Sequence, residues 1–478
     1  MIALYIALGV LALFLLVVFA RALAFKPPKR EVRSVDKIEI DENEVAYRLS
    51  EMIKCKTVSS MDKSLEDEGE FDKFKALLPT LFKNVFSACE YTEIGDRAIL
   101  LRWRGKTEAE PTVLMAHYDV VSVEESDWER PAFDGIIEDG VLWGRGVIDT
   151  KGTLNAALSA AERLIADGFV PEHDVYFAFA GDEEINGHGA SDIVALFKEK
   201  NITPGIVVDE GGAVVDGVFP GVKIPCAVIG IAEKGMLNVE YSVTGGGGHS
   251  SAPKPHTPVG KLSAACVKLE NSPFKFRLTA PTKQMFDTAS RHSTFLYRVI
   301  FANLWCFAPI LNMLGKKSGG QINAVARTTL AFTQMEGSKG INVIPPRATM
   351  ASNSRILPGE TTESALNYIK KKIDGMGVEV RMISGMNPSR ISRTDCDAYK
   401  TLTLAVSDTW QEAIVSPYLM TACSDSRHWG VISDKVYRFT PFALSTEENA
   451  RVHGNNERLE ISKLARATEF YIRLIRSL

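Results

Sequence analysis

Five short segments of the chain carry side chains that bind hard or borderline metal ions: MAHYDV (His117, Asp119), GRGVIDTKG (Asp149), FAGDEEINGHG (Glu183, Glu184), VVDEGG (Asp209) and ARVHGNNE (His453). Each sits where a strand would end. A buried carboxylate without a partner is costly. Several gathered in one place require positive charge among them, and two metal ions sharing one carboxylate meet that requirement most simply. The chemistry implied is metal-assisted hydrolysis.

The spacing inside each segment suggests a division of labour. His117 and Asp119 point to one face of a strand, so Asp119 can accept a hydrogen bond from the imidazole nitrogen that does not face metal. Asp149 lies in a turn between Gly146 and Gly152, and its two oxygens suffice to bridge two ions. Glu183 and Glu184 are adjacent and point apart; one can hold metal while the other stays free as a base. Asp209 and His453 complete three ligands per ion with the bridge counted twice, leaving positions open for water. Taken singly, a histidine at a strand end is usually satisfied by ordinary hydrogen bonds, and an acidic run is usually a solvated turn. His173, His188, His256 and His292 keep that plain reading; the five segments carry weight as a set.

Elements must bring these residues together. From about 41 to 90 the pattern is helical, as in ENEVAYRLSEMIKC and FDKFKALLPTLFKNVF. AILLRWRG, PTVLMAHYD, DVYFAFAGDEE and GIVVDEGG are short apolar runs that read as strands, with the helix TLNAALSAAERLIADG between two of them closed by Gly168. This is α/β grammar with a mainly parallel sheet, whose ligand site lies beyond the carboxyl ends of the strands. Near residue 234 the order becomes βαββαβ, a ferredoxin-like α+β unit inserted into the first domain. Its helix and next strand are separated by a long insert, 272–329. The apolar stretch FLYRVIFANLWCFAPILNML in that insert is broken by Arg298 and Pro309. It reads as a helical elaboration packed on the inserted domain or at a dimer contact, with a second membrane span as the alternative. The expected organisation is 1–25 transmembrane anchor, 26–40 linker, 41–233 and 385–478 catalytic domain, and 234–384 inserted domain.

At 478 residues the chain is long enough for two or three domains. A 45% hydrophobic and 24% charged composition fits a globular core, and a net charge of −4 gives no reason to expect nucleic acid. Seven cysteines with no CxxC read as free thiols. Residues 1–20, MIALYIALGVLALFLLVVFA, carry no side-chain charge and are long enough to cross a bilayer core. Arg21, Lys26, Lys29, Arg30 and Arg33 follow. ALA at 22–24 would suit signal cleavage, but the basic start of a signal peptide is missing, so a retained single-pass anchor in the cell membrane is the reading. The positive-inside rule favours a cytoplasmic body, although large domains override it and the side stays open.

HYDVV, W…PAFDG…DGVLWGRGVIDTKG, GDEEINGHGA and VVDEGG together resemble the dizinc aminoacylase and carboxypeptidase family, nearest in appearance to carboxypeptidase S and the secreted N-acyl-amino-acid hydrolases. The likeness runs from about residue 40 to the end. It implies one zinc on His117, Asp149 and Asp209, a second on Asp149, Glu184 and His453, Glu183 as general base and Asp119 as orienter. Other divalent ions such as Co2+ or Mn2+ would suit the same ligands. It also implies a cis peptide after Asp149, where many members have Asp in place of Thr150. The inserted domain corresponds to the family's lid, through which relatives commonly dimerise. GGGGHSSAP places His249 at the lid histidine that polarises the scissile carbonyl. INVIPPRA and NSRILPGE make Asn342 and Arg355 candidates for holding a substrate carboxylate, and ACSDSRHWG adds Arg427. The expectation is a membrane-anchored, homodimeric zinc hydrolase that cuts the amide next to a free carboxylate, in a short peptide or an N-acyl amino acid. Two rivals stay open: a different blocked dipeptide or acyl-transfer substrate, and a binding or scaffolding protein that lost turnover.

Overall fold

The computed structural model describes residues 1–28, 33–217 and 219–478; Lys29 and Arg30 of the expected linker lie outside the described residues. After α1 (Ile2–Ala24) come α2 (Glu42–Ile53), α3 (Glu68–Leu81) and α4 (Lys83–Ala88), then β1 (Cys89–Ile94), β2 (Ala98–Trp103), β3 (Thr107–His117), β4 (Ile136–Glu138) and β5 (Val141–Trp143). α5 (Lys151–Ala166), β6 (His173–Ala180), α6 (Gly189–Glu199), β7 (Ile206–Asp209), β8 (Val214–Val215) and β9 (Cys226–Glu233) complete the first stretch. The second stretch holds β10 (Gly235–Thr244), β11 (Gly248–His249) and α7 (Pro258–Glu270). Next come α8 (Ala280–Ser290), α9 (Phe295–Phe301), α10 (Leu304–Ser318) and α11 (Gly320–Ala326), followed by β12 (Thr329–Glu336), β13 (Val343–Ile344), β14 (Arg347–Ile356), α12 (Thr362–Lys372) and β15 (Glu379–Met386). The return carries α13 (Asp397–Thr409), β16 (Ile414–Met420), β17 (Val436–Arg438), β18 (Ala443–Leu444), α14 (Thr446–Asn449), β19 (Arg458–Glu460) and α15 (Ile461–Ser477).

The large sheet has ten strands in the order β1-β2-β6-β3-β7-β17-β9-β8-β18, with β16 on β9. It is mixed rather than mainly parallel: β6, β3, β7 and β17 run parallel, as do β16 with β9 and β18 with β8, while the β1–β2, β2–β6, β17–β9 and β8–β9 pairs are antiparallel. Short connections explain the difference, since adjacent runs such as β1 and β2 close as hairpins whereas the parallel strands need crossovers. The parallel strands read as buried apolar runs because both faces are covered. α5 lies on one face with nearly every residue buried, and α15 packs beside it through Leu464, Ala467, Phe470, Tyr471 and Leu474. α6 covers the other face with Ile193, Val194 and Phe197.

The second sheet is antiparallel in the order β12-β14-β10-β15. Alternation in β10 sends Leu237, Val239, Tyr241 and Val243 into a core with Leu262 and Ala265 of α7 and Ile369 of α12. The element order here is β10, α7, β12, β14, α12 and β15, with α8 to α11 between α7 and β12. The insert forms four helices; α9 and α10 meet at 101°, so the apolar stretch is not one straight span. α8 packs on β16 and β9 through Met285, Phe286 and Ala289. α1 is 23 residues long and mostly exposed, with Val18 and Ala22 buried.

Candidate active site

Parallel β3, β6 and β7 end together, and His117, the loop after Ala180, and the Asp209–Glu210 step emerge at that edge. Two glycines let the backbone close in. A Cβ on Gly152 would fall 2.0 Å from the Val147 carbonyl oxygen, and one on Gly212 would fall 1.8 Å from that of Val228. The turn carrying Asp149 is clamped by the buried carboxylate of Glu457. Its Oε1 accepts from the amides of Ile148 and Asp149 at 2.7 and 3.2 Å, and its Oε2 accepts from Gly146 N at 2.9 Å and Arg145 Nη1 at 2.8 Å. The Asp149–Thr150 peptide is cis. Thr150 Oγ1 accepts from His117 N and donates to His117 O, both at 2.9 Å, so threonine ties this turn to the end of β3.

Asp149 sits between two imidazoles. Its Oδ1 is 3.0 Å from His117 Nε2 and its Oδ2 is 3.0 Å from His453 Nε2. Glu184 Oε1 lies 3.1 Å from the same His453 nitrogen. On the other side, Glu210 Oε2 lies 3.3 Å from His117 Nε2. His117 Nε2 therefore meets Asp149 and Glu210, and His453 Nε2 meets Asp149 and Glu184. Potential ligand atoms of His117, Asp149 and Glu184 fall within 4.8 Å of one another, as do those of His117, Glu183 and Glu210.

The third carboxylate facing His117 is Glu210, not Asp209. Asp209 ends β7 and turns the other way: its buried Oδ2 accepts from Ser426 N at 2.8 Å. Ser426 and Ser424 donate their hydroxyls to Glu233 Oε1 at 3.1 and 3.0 Å, and Arg438 Nε donates to the same oxygen at 2.6 Å. Neighbouring residues at a strand end face opposite sides, so a choice within Asp-Glu needs the register that the sequence leaves open. Glu457 was missed too, although it lies four residues after His453 in the same segment.

Asp119 also does more than the sequence reading gave it. His117 Nδ1 is 3.0 Å from the Asp119 backbone carbonyl and 3.3 Å from its Oδ1. The carboxylate itself accepts the amides of Glu183 and Glu184, each at 3.1 Å, and the Ser59 hydroxyl at 2.7 Å. Asp182 folds the same loop back by accepting His188 N at 2.8 Å.

The electrostatics describe a crowd of negative charge. Burial, then the charge of Glu210, pushes the Glu183 carboxyl well above the usual range. Burial likewise raises Glu210 and Asp209, and burial together with Asp209 pushes Asp425 up to about 8. Burial opposes charge on His117 and would raise Asp149, yet the neighbouring carboxylates lift His117 and the two imidazoles hold Asp149 low. Asp149 and Glu184 lift His453 to about 10. Divalent cations would satisfy the same donors, and a set of imidazoles and carboxylates fits zinc-class ions.

The remaining sequence candidates lie outside this cluster. His249 is exposed on β11, its Nδ1 accepting from Ser251 N at 3.1 Å. Asn342 adjoins it, its carbonyl accepting from Ser250 N at 3.0 Å. Arg355 directs Nη1 at Cys423 Sγ, 3.5 Å away. Arg427 donates Nη2 to Asn186 Oδ1 at 3.1 Å, on the loop that carries Glu183 and Glu184, while its Nε and Nη1 are buried with no hydrogen-bond partner among the described residues.

A family profile for Peptidase family M20/M25/M40 matches residues 113–477. The chain belongs to this peptidase family. It is 35% identical over 465 residues to "Probable carboxypeptidase S-like 2" of Dictyostelium discoideum, covering 95% of this chain and 89% of that one. It is 33% identical over 446 residues to "N-fatty-acyl-amino acid synthase/hydrolase PM20D1" of Xenopus tropicalis, covering 92% and 86%. Among solved structures, the M20 family metallo-carboxypeptidase Sso-CP2 of Sulfolobus solfataricus shares the fold with a TM-score of 0.67 at 18% identity, over 92% of this chain and 100% of that one.

Proposed function

We propose that this peptidase-family member is a dizinc amidohydrolase that cleaves the amide beside a free carboxylate in an N-acyl amino acid or short peptide. The observation that carries the reading is Asp149, whose two oxygens each stand 3.0 Å from the Nε2 atom of a different histidine. His117, Asp149 and Glu210 would hold one ion, and His453, Asp149 and Glu184 the other. When bound, the two ions would supply Lewis-acid charge to the scissile carbonyl and to the attacking water.

The chain's own residues do the rest. Glu183 accepts the proton of the attacking water and returns it to the leaving amine. Asp119 positions both glutamates by holding their amides. Arg427 is the better-supported partner for the substrate carboxylate, because two of its donor atoms lack partners beside the loop carrying Glu183. His249 with Asn342, on the exposed tip of the inserted domain, acts as a lid group that completes the site of a second copy in a homodimer. α1 is a retained membrane anchor.

An apolar cavity favours the acyl substrate over a polar dipeptide. It encloses about 250 Å³ and begins at Gly211, the residue after Glu210. Ala213, Phe219, Met285, Phe286, Ile322 and Tyr418 line it. The N-fatty-acyl amino acid named for the Xenopus relative has an apolar group of the kind that such a wall would cover. The test is a screen of N-acyl amino acids of increasing chain length, and of dipeptides, with the full-length protein in detergent with and without chelator. Chelator-sensitive release that strengthens with chain length is expected. Equal turnover with chelator, at zinc contents verified as zero, refutes the metal reading; preference for polar dipeptides refutes the acyl reading alone.

A further inference from the structure

α1 packs against the insert, and the contact reaches far along the helix. Trp305 of α10 packs edge-on against Phe14 with ring centroids 5.8 Å apart, and Phe295 of α9 stacks on Phe19 at 6.3 Å. Asn303, at the bend between α9 and α10, donates Nδ2 to Val18 O at 3.0 Å. Arg21 donates Nε and Nη2 to Ala302 O at 3.2 and 3.1 Å. From Phe14 to the end of α1 at Ala24 is about 15 Å at helical rise, half the thickness of a bilayer's hydrocarbon core. If α1 spans, whatever touches Phe14 lies inside the membrane.

We propose that the α9–α10 elbow enters the lipid bilayer beside α1 as a re-entrant wedge, giving the protein a second membrane contact that fixes its orientation. The proposal rests on α1 being a retained span. Three further observations support it. First, neither arm can cross alone: α9 has 7 residues and α10 has 15, against about 20 for a span. Second, the carbonyl freed at the 101° bend is satisfied within the protein, as irregular backbone in hydrocarbon requires, while Arg298 Nε on α9 is buried with no hydrogen-bond partner among the described residues. Ala302 O takes the Arg21 guanidinium, and Asn303 Oδ1 takes Trp305 Nε1 at 3.2 Å. Third, the surface around the bend is apolar and its borders are basic. Leu296, Trp305 and Met313 are 70%, 59% and 62% exposed. Residues 272–329 hold eight lysines and arginines against one acidic residue, Asp287, in a chain whose net charge is −4. Lys316 and Lys317 close α10. An apolar face rimmed by cations is the pattern that buries at an anionic bilayer surface.

The same segment lines the apolar cavity. α8 and α11, which flank the elbow in the chain, supply Met285, Phe286, Ile322 and Val325 to the cavity that begins at Gly211. The wedge thus places that cavity close to the membrane from which an amphiphile would come.

The test uses the full-length chain reconstituted in phosphatidylcholine vesicles containing phosphatidylserine, with phosphatidylcholine brominated along its acyl chains as quencher. Intact mass first establishes that α1 is present, and no activity is read, so the outcome is independent of anchor removal and of catalysis. The difference emission between wild type and Trp305→Phe isolates Trp305 from the other five tryptophans. The proposal expects this emission to lose most of its intensity in brominated vesicles. Unquenched difference emission overturns it. Met313→Cys gives a second reading should Trp305→Phe fold poorly. The added thiol should resist a membrane-impermeant maleimide in vesicles and react after denaturation. Labelling of Met313→Cys in intact vesicles beyond that of the wild type with its seven native thiols, or disulfide crosslinking between Met313→Cys copies absent from the wild type with Trp305 unquenched, overturns the proposal, the latter in favour of a second copy of the chain on this face.

Discussion

Glu210→Gln and Asp209→Asn are adjacent, isosteric and expected to fail in different ways. Glu210 stands 3.3 Å from His117 Nε2 and is one of three protein ligands proposed for that ion. Its amide replacement removes the anionic donor from a site that still keeps its other two ligands. Metal content should fall from about two ions per chain to about one, and activity should fall with it. Asp209 instead accepts from Ser426 N at 2.8 Å, with the Glu210 amide and Ser424 hydroxyl also favouring its charge. An amide there forfeits charge-assisted hydrogen bonds in a buried setting, a loss of about 1–3 kcal/mol. In a domain of 150–250 residues each kcal/mol moves Tm by roughly 2–4 °C, and by less in a larger unit. Because Asp209 adjoins Glu210, zinc affinity should weaken by no more than about 10–100-fold, so both ions should remain at saturating zinc. Equilibrium dialysis over a zinc series, with metal analysis and thermal unfolding on the same samples, separates the two. A two-ion Glu210→Gln protein beside a one-ion Asp209→Asn protein would falsify the assignment made from the geometry.

Other outcomes can be read on the same preparations. Glu183→Gln keeps its size and the Asp119 contact to its amide but cannot accept a proton; kcat should drop by about 10²–10⁴-fold with metal content unchanged, and near-wild-type turnover would move the base elsewhere. Arg427→Ala should lower kcat/KM for free-acid substrates by about tenfold to a hundredfold while sparing amidated ones; if Arg355→Ala does so instead, the carboxylate contact lies on β14. Lys234 is buried between β9 and β10, donating to Ala324 O and Arg327 O at 2.9 and 2.8 Å, and burial lowers it from 10.5 to about 7. The unfolded chain then binds one more proton between those values, so this lysine's cost is full below pH 7 and shrinks as pH rises. The Tm of Lys234→Met relative to wild type should therefore decline from pH 7 to pH 10, and a flat difference would show that Lys234 titrates normally.

Much of this site was legible because its ligands lie in segments whose ends are fixed by strand grammar. The C-terminal parts of β3 and β6, VLMA and VYFAFA, are unbroken apolar runs, and the polar residue that follows such a run must emerge at the carboxyl edge of the sheet. His117 and the Glu183–Glu184 pair follow from that alone. Spacing could not choose within Asp209–Glu210, since one residue of register reverses the face. Glu457 escaped because its work is done on backbone amides of Gly146, Ile148 and Asp149, more than 300 residues away in the chain. Such a partner leaves no local pattern. The sheet's mixed character escaped for a related reason, as strand direction depends on how connections pack and not on the strands' own composition.

The insert makes the same point in reverse. Its apolar stretch was visible, but Arg298 and Pro309 argued against a plain span, and the sequence offered no way to decide what covered it. The deciding information is again a long-range pairing: Arg21 on Ala302 O and Asn303 on Val18 O join segments 281 and 285 residues apart. These bonds also assign a use to Arg21, which in the sequence read merely as the first charge after an apolar run. It caps the carbonyl freed at the α9–α10 bend, where no helical amide is left to do so. An arginine at the end of an apolar helix, an asparagine at a bend and a tryptophan facing the middle of α1 are each ordinary alone. Joined, they make the expected polar linker begin only after a segment of α1 that is already braced against the body of the protein, so under the proposed anchoring the site is oriented by packing and not by the linker.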